Sequence, residues 1–136
     1  MIVVDASFFV ALLLNEPRHA AKDKVWEILE TDFALVPAHW PNEVANALRR
    51  AVGAKRLSRP EIEPTVRRLL AFDIRFALPP KVEDITALVE EALRFDLSVY
   101  DLQYIRLAQT HRVALATIDA AMRLAAQQMN IAVLPE

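Results

Sequence analysis

Four acidic residues stand at comparable points of predicted elements, although they are far apart in the chain. Asp5 ends a short β-branched strand, Glu43 and Asp101 lie in the first turns of two helices, and Asp119 follows a late strand. In a parallel sheet the carboxyl ends of strands and the amino ends of the following helices share one edge, where ligands bind. We therefore expect the four carboxylates to converge at that edge.

Carboxylates that converge need a positive charge nearby. Two of them a few Å apart repel by about 4 kcal/mol at an intermediate dielectric. Protonation could relieve this repulsion through raised pKa values, but Mg²⁺ or Mn²⁺ does so better, because hard cations prefer carboxylate oxygen. Such a cation lowers the pKa of a bound water and stabilises charge on phosphate oxygens. The acids thus predict a metal site suited to phosphodiester hydrolysis.

Each acid taken alone also has a local explanation. Acids near the amino end of a helix are favoured by the helix dipole and accept hydrogen bonds from free N–H groups. The segment from Ser98 to Asp101 has the spacing of a capping box, so Asp101 is the strongest such case. The metal hypothesis therefore depends on the four acids lying close together in the folded chain, as the sequence predicts.

Two hydroxyl residues stand close to these acids in the sequence. Ser7 follows Asp5 by two residues, and Thr117 precedes Asp119 by two. Either hydroxyl could orient a carboxylate or a metal-bound water, which would make it a supporting residue of the site. The alternative is ordinary local capping of the chain.

Strands and helices alternate along the chain that must position these residues. Predicted strands span 2–4, 34–36, 74–77, 113–117 and 131–134, and predicted helices span 6–14, 18–30, 42–52, 60–72, 82–95, 98–111 and 120–129. Pro41 is placed to open the third helix, and Gly53 is expected to end it. The alternation implies right-handed crossovers and a mainly parallel sheet. The predicted fold class is α/β, a three-layer α/β/α sandwich.

Composition favours one folded, unexported domain over residues 1–136. With 54% hydrophobic and 25% charged residues, the chain is too apolar for disorder. The longest apolar run, Phe8 to Leu14, is far shorter than the roughly 20 residues of a membrane-spanning helix. A signal peptide is not expected, because the basic leading region is missing. The absence of cysteine rules out thiolate metal ligands and fits a cytoplasmic protein.

Positive charge is concentrated in the middle of the chain. Residues 49–68 hold seven cations and two anions, which gives this stretch a local charge of +5 within a chain of net charge −2. Such a stretch could bind the phosphates of a nucleic acid, and it could equally be a solvated helical surface. As candidate substrate contacts the sequence offers Arg49, Arg50, Lys55 and Arg56.

Four short segments around the acids resemble those of the PIN-domain family, and within it the VapC-like toxins of bacterial and archaeal toxin–antitoxin pairs. Their order and spacing cover nearly the whole chain: Val3 to Ser7, Asn42 to Leu48, Tyr100 to Tyr104, and Thr117 to Asp119. No single segment is specific, because each is a few residues around one acid. The combination, in a chain of this length, is what carries the resemblance.

The resemblance implies a PIN-like α/β/α fold and a Mg²⁺- or Mn²⁺-dependent endoribonuclease acting on tRNA, rRNA or mRNA. It further implies a homodimer and a type II toxin inhibited by a cognate antitoxin protein. By position, the catalytic and metal-binding residues would be Asp5, Glu43, Asp101 and Asp119, supported by Ser7 and Thr117. One departure is Ala120 and Ala121, where many relatives carry charge after the last acid. This departure puts substrate contacts beside Asp119 in question.

Other sites and functions compete with this interpretation. His39 stands four residues before Glu43, but a catalytic zinc usually has three protein ligands, and the other histidines lie in unrelated segments. Ser7 stands where a phosphoaspartyl phosphatase has a second aspartate, and one glycine is too few for a phosphate-binding loop. A catalytically silent PIN-fold module that binds RNA or protein, or a structure-specific DNA nuclease, remains an alternative.

Overall fold

The computed structural model describes residues 1–14 and 20–136, so the first two residues of the helix predicted at 18–30 lie outside the described residues. In the described part of the chain, five parallel strands form one sheet in the order β3-β2-β1-β4-β5. The strands are β1 (Ile2–Val4), β2 (Ala34–Val36), β3 (Ile74–Phe76), β4 (Leu115–Ala116) and β5 (Val133–Leu134).

Seven α-helices accompany the sheet in these same residues. They are α1 (Ala6–Leu13), α2 (Ala20–Thr31), α3 (Trp40–Gly53), α4 (Ile62–Leu69), α5 (Ile85–Phe95), α6 (Val99–His111) and α7 (Ala120–Gln128). Short 3₁₀ helices at Arg59–Glu61 and Val82–Asp84 precede α4 and α5. The predicted α/β class with a parallel sheet is confirmed.

The central strand β1 shows why the sheet is a middle layer. Ile2, Val3 and Val4 alternate between the two faces of the sheet, yet all three side chains are buried. Both faces of a parallel sheet must be covered in this way, which explains the unbroken apolar run. On one side of β1, Phe9 of α1 packs edge to face against Trp40 and Phe72, with centroid distances of 5.5 and 5.3 Å.

The strand order changes direction at β1, and this change positions the candidate site. The chain moves from β1 outward to β2 and β3, then returns to add β4 and β5 on the other side. Loops that leave β1 and β4 therefore diverge, and a crevice opens at the carboxyl ends of these two strands. Asp5 follows β1 and Thr117 follows β4, so both residues lie at this crevice.

Several predicted boundaries were wrong by a few residues. Gly53 does not end α3 in a left-handed conformation: it is the last helical residue, Ala54 caps the helix, and Lys55 takes the positive φ of 58°. Helix α3 also begins at Trp40, two residues earlier than predicted, with Pro41 in its first turn. The last two strands are shorter than predicted, because apolar patterning marks burial rather than strand pairing.

Among the described residues, the helices are all too short or too polar to pass through a bilayer.

Candidate active site

Asp5 is the most buried acid of the site, with 5% of its surface exposed. It is the N-cap of α1, and its Oδ1 accepts a hydrogen bond from the Ser7 backbone N–H at 3.3 Å. Its Oδ2 accepts a second bond from the Thr117 hydroxyl at 2.9 Å. Both carboxylate oxygens are therefore oriented by neighbours.

Thr117 forms hydrogen bonds with both of the acids that follow β1 and β4. Its buried hydroxyl donates to Asp5 and also accepts the backbone N–H of Asp119 at 3.1 Å. Ser7 acts differently from Thr117, since its side chain is exposed and only its backbone N–H contacts Asp5. Of the two predicted hydroxyls, Thr117 is therefore the one that the structure places on a carboxylate.

Asp101 and Asp119 are both tied into helix starts, as their local explanations predict. The N–H of Asp101 donates to Oγ of Ser98, the N-cap of α6, at 3.0 Å. Asp119 is the N-cap of α7, and its Oδ1 accepts from the Met122 N–H at 2.9 Å. Capping does not exclude a second role, because each carboxylate has further acceptor capacity.

Glu43 lies in the first turn of α3, and two aromatic side chains contact one of its oxygens. The Tyr104 hydroxyl donates to Oε1 at 2.8 Å, and His39 Nε2 lies 2.9 Å from the same atom. The histidine contact is a close approach rather than a well-aligned hydrogen bond. Tyr104 also accepts the backbone N–H of Ala6 at 3.4 Å, next to Asp5.

The four acids act on one another electrostatically. Burial, which is the largest cause, together with the charges of Glu43 and Asp101, raises the pKa of Asp5 from 3.8 to about 6, although Thr117 and the Ser7 N–H oppose this change. Burial also raises the pKa of Asp101, and the charges of Asp119 and Glu43 add to it. The charges of Glu43 and Asp101 thus act on Asp5, and those of Glu43 and Asp119 act on Asp101; that all four hold one metal ion stays a prediction.

The same environment keeps Tyr104 a neutral hydrogen-bond donor. Burial is the first cause that raises the pKa of this phenol, followed by its bond to Glu43 and the charges of Glu43 and Asp5. A phenol that stays protonated holds a neighbouring carboxylate without adding charge to the site.

The residues present fit a hydrated divalent cation. In the part of the chain that the structure describes, no three carboxylate or imidazole groups already surround a single point. Mg²⁺ does not require such a cage, because it keeps several waters and commonly binds one or two carboxylates directly. The charges that act on Asp5 are those of acids, so the site carries negative charge for a cation to balance.

The four candidate substrate contacts lie away from the acids. Arg49 is six residues after Glu43, so about 9 Å of helix separates the two along the axis of α3. Arg49 borders an apolar groove between α3 and α4, whereas Arg56 lies beside the carboxyl end of α1. Arg50 and Lys55 are exposed at the same end of α3. Their contact with substrate stays a prediction.

The sequence-based prediction gave no role to Tyr104, and it rejected His39 as a zinc ligand. The signal for Tyr104 was its position three residues after Asp101, which puts both on one side of α6. The signal for His39 was its position four residues before Glu43, together with a helix that begins at Trp40.

Comparison with known proteins settles the family. The family model described as "PIN domain" matches residues 2–128. This chain belongs to the PIN-domain family. Two curated relatives of this PIN domain are "VapC ribonuclease Mb0985" of Mycobacterium bovis and "Ribonuclease VapC9" of Mycobacterium tuberculosis. Each is 33% identical over 138 residues, a match that covers 99% of both chains.

A solved structure supports the fold of this PIN domain. It is described as "Crystal structure of PAE2754 from Pyrobaculum aerophilum" and superposes with a TM-score of 0.66 at 21% identity. The match covers 97% of this chain and 81% of the other. At this identity the likeness concerns the fold. The resemblance recognised from the sequence, to PIN domains and VapC-like proteins, is confirmed.

Proposed function

We propose that this PIN domain is a Mg²⁺- or Mn²⁺-dependent endoribonuclease, and the toxin of a type II toxin–antitoxin pair. The observation that carries the proposal is the buried Asp5, on which the charges of Glu43 and Asp101 act and whose pKa is raised to about 6, while Asp119 acts in turn on Asp101. The full-length relatives named as VapC ribonucleases support the reaction class. Residues 1–136 would act as one nuclease domain in the cytoplasm, where RNA substrates are present.

The cation would be held by Asp5, Glu43, Asp101 and Asp119, directly or through water. When bound, it supplies an activated water and positive charge for the phosphate oxygens. Thr117 keeps Asp5 turned into the crevice through its hydroxyl and fixes the backbone at Asp119. Tyr104 and His39 contact Glu43 in the first turn of α3. The protein's own contribution would be to hold these carboxylates near one crevice before substrate arrives.

The test of this function is RNA cleavage by the purified chain. We expect hydrolysis with Mg²⁺ or Mn²⁺ that stops in EDTA and falls by about two orders of magnitude or more in Asp5→Asn and Asp101→Asn, since each removes a charged ligand. Asp73→Asn is the matched control, because Asp73 pairs with Arg75 near the edge strand, away from these acids. Equal cleavage by the wild type and both site variants would refute the assignment.

The same assay separates the rival functions. A module that binds RNA without cleaving it would show RNA retention and no products at any metal concentration. A structure-specific DNA nuclease would cleave DNA in preference to RNA under the same conditions. Mapping the cleaved RNA ends would then identify the substrate, for which Arg49, Arg50, Lys55 and Arg56 stay candidate contacts.

We further propose a homodimer that forms through the outer face of α5. Three exposed apolar residues line this face at helical spacing and a fourth lies in the 3₁₀ helix just before it, while Leu88 and Ala92 on the inner face are buried against Leu102. A continuous exposed apolar stripe is a feature of interaction sites. The stripe consists of Val82, Ile85, Val89 and Leu93.

Charge beside this stripe favours a second copy as the occupant. Glu83 lies in the 3₁₀ helix at the start of the stripe, and Arg94 lies in the last turn of α5, at its end. A two-fold axis across the stripe pairs the helices antiparallel, so that Glu83 of one copy faces Arg94 of the other. The face is therefore complementary to itself.

The antitoxin is proposed to supply an Arg or Lys that enters the acidic crevice. A cation there forms charge-assisted hydrogen bonds with the same carboxylates and displaces the metal. RNA cleavage should then cease in a saturated toxin–antitoxin complex, and full activity in such a complex would contradict this mode of inhibition.

A further inference from the structure

Two side chains outside the predicted acidic set contact the same oxygen of Glu43. The Tyr104 hydroxyl bonds to Oε1 at 2.8 Å, and His39 Nε2 lies 2.9 Å from that atom. Among the residues that the structure describes, none makes a hydrogen bond to Oε2. Two contacts on one oxygen restrict the rotation of the carboxylate and leave its other oxygen available.

Tyr104 is itself held in place by its surroundings, so it can fix the position of a side chain that it contacts. Its side chain is fully buried, and its hydroxyl also accepts the N–H of Ala6 at 3.4 Å. Ala6 is the first residue of α1, directly after Asp5. One hydroxyl on α6 therefore links the start of α1, which carries Asp5, to the first turn of α3, which carries Glu43.

His39 is held by rings on two sides. Its imidazole packs edge to face on Tyr100, at 5.1 Å between centroids, and on Tyr104, at 5.8 Å. As the N-cap residue of α3, it stands one helical turn before Glu43. The ring is thus fixed between α6 and the carboxylate that it contacts.

We propose that Tyr104 and His39 are positioning residues that hold Glu43 by Oε1 and so present Oε2 to the divalent cation. This inference rests on the proposed nuclease function. Groups that orient a metal ligand typically change metal affinity or activity by about 10- to 100-fold when they are removed. A residue that only packs would change the melting temperature and leave metal affinity as it was.

The first experiment removes the Tyr104 hydroxyl while keeping the ring. The Mn²⁺ dissociation constant of the full chain is measured without RNA, from the electron paramagnetic resonance signal of free Mn²⁺. We expect Tyr104→Phe to raise this constant by about 10-fold or more. Thr65→Val is the control, since it too removes a buried hydroxyl and its hydrogen bond, in this case to the Glu61 carbonyl oxygen at 2.7 Å, on α4 beside the carboxyl end of α1. Its constant should equal that of the wild type.

The second experiment tests His39 by loss and rescue. His39→Ala should weaken Mn²⁺ binding by about 10-fold, because the contact on Oε1 is lost. His39→Gln keeps an N–H donor at a similar reach and should restore most of the affinity. This rescue separates orientation of Glu43 from general loss of packing, since both variants lose the imidazole ring.

The outcomes distinguish this inference from the function on which it rests. If the wild type binds no Mn²⁺, the nuclease proposal and this inference both fall. If the wild type binds Mn²⁺ and the Tyr104 and His39 variants bind it equally well, the positioning role is overturned and the nuclease proposal stands. If Tyr104→Phe does not fold, the His39→Ala and His39→Gln pair decides.

Discussion

Asp5 is more buried than the other three acids, and this burial destabilises its ionised form. A bound metal would offset that destabilisation. Loss of solvent and the charges of nearby acids disfavour the ionised form of Asp5, and the hydrogen bonds from Thr117 and the Ser7 N–H offset this only in part. The folded chain keeps this destabilised carboxylate at a position where its negative charge can bind a cation. Residues of this kind are expected at functional sites.

Replacing Asp5 by Asn should make the metal-free protein more stable at pH 7. The variant carries no buried charge, and the rise of the Asp5 pKa from 3.8 to about 6 sets an upper bound of about 3 kcal/mol on the gain. Urea unfolding in EDTA measures this gain. Mg²⁺ or Mn²⁺ should raise the stability of the wild type and leave Asp5→Asn unchanged. A variant less stable than the wild type in EDTA would show that ionised Asp5 is not strained.

The stability of the metal-free chain should fall as pH rises from about 4 to about 6 on account of Asp5. The folded pKa of about 6 lies above the ordinary value of 3.8, so the folded state holds a proton that the unfolded state releases in this window. Bound Mn²⁺ competes with that proton, and its stabilising effect should grow as pH rises through 6. Thermal melts at pH 5, 6 and 7, with EDTA or with Mn²⁺, measure both trends. A Mn²⁺ effect that is equal at all three pH values would contradict the assignment.

Helix α6 contributes to the site through its first turn. Ser98 caps it, Asp101 stands in its first turn, and Tyr104 follows one turn later on the same side. The helix packs against β1, β2 and β4, which fixes this turn over the crevice. Precise placement of two site residues thus depends on how the helix begins.

Loss of the Ser98 cap should cost both stability and function. Ser98→Ala removes the acceptor of the Asp101 N–H, and such a change costs about 1 kcal/mol. The first turn then frays, and RNA cleavage should fall together with the melting temperature. Ser58→Ala is the matched control, at the N-cap position of the 3₁₀ helix before α4 and away from the acids. It should lower stability at most and leave cleavage unchanged; equal losses of cleavage in both variants would remove the link between the α6 cap and the site.

Two exposed apolar residues on different helices' surfaces allow the dimer proposal to be tested directly. Val89 lies in the middle of the α5 stripe, whereas Leu70 follows α4 and is also largely exposed. In sedimentation velocity, Val89→Lys should convert a dimer into a monomer, while Leu70→Lys should leave the dimer intact. Glu83→Arg should weaken the dimer, and adding Arg94→Glu should restore it. A dimer that survives Val89→Lys would place the interface elsewhere.

The sequence alone determined the class of the fold and which acids are proposed for the site. Alternating apolar segments specified strands such as β1 and β2, and caps such as Ser98 specified where helices begin, because these signals are local. The site residues could be proposed because acids at the ends of parallel elements share one edge whatever the loops do.

Only the tertiary structure decided how those acids are held. That Thr117 rather than the Ser7 hydroxyl bonds Asp5, and that Tyr104 and His39 meet on one oxygen of Glu43, depends on the packing of α1, α3 and α6. The left-handed residue after α3 is likewise Lys55 and not Gly53, where the local glycine signal predicted the end of the helix. Contacts between segments distant in sequence have no local pattern, and burial, which raises the pKa of Asp5, is a property of the assembled fold.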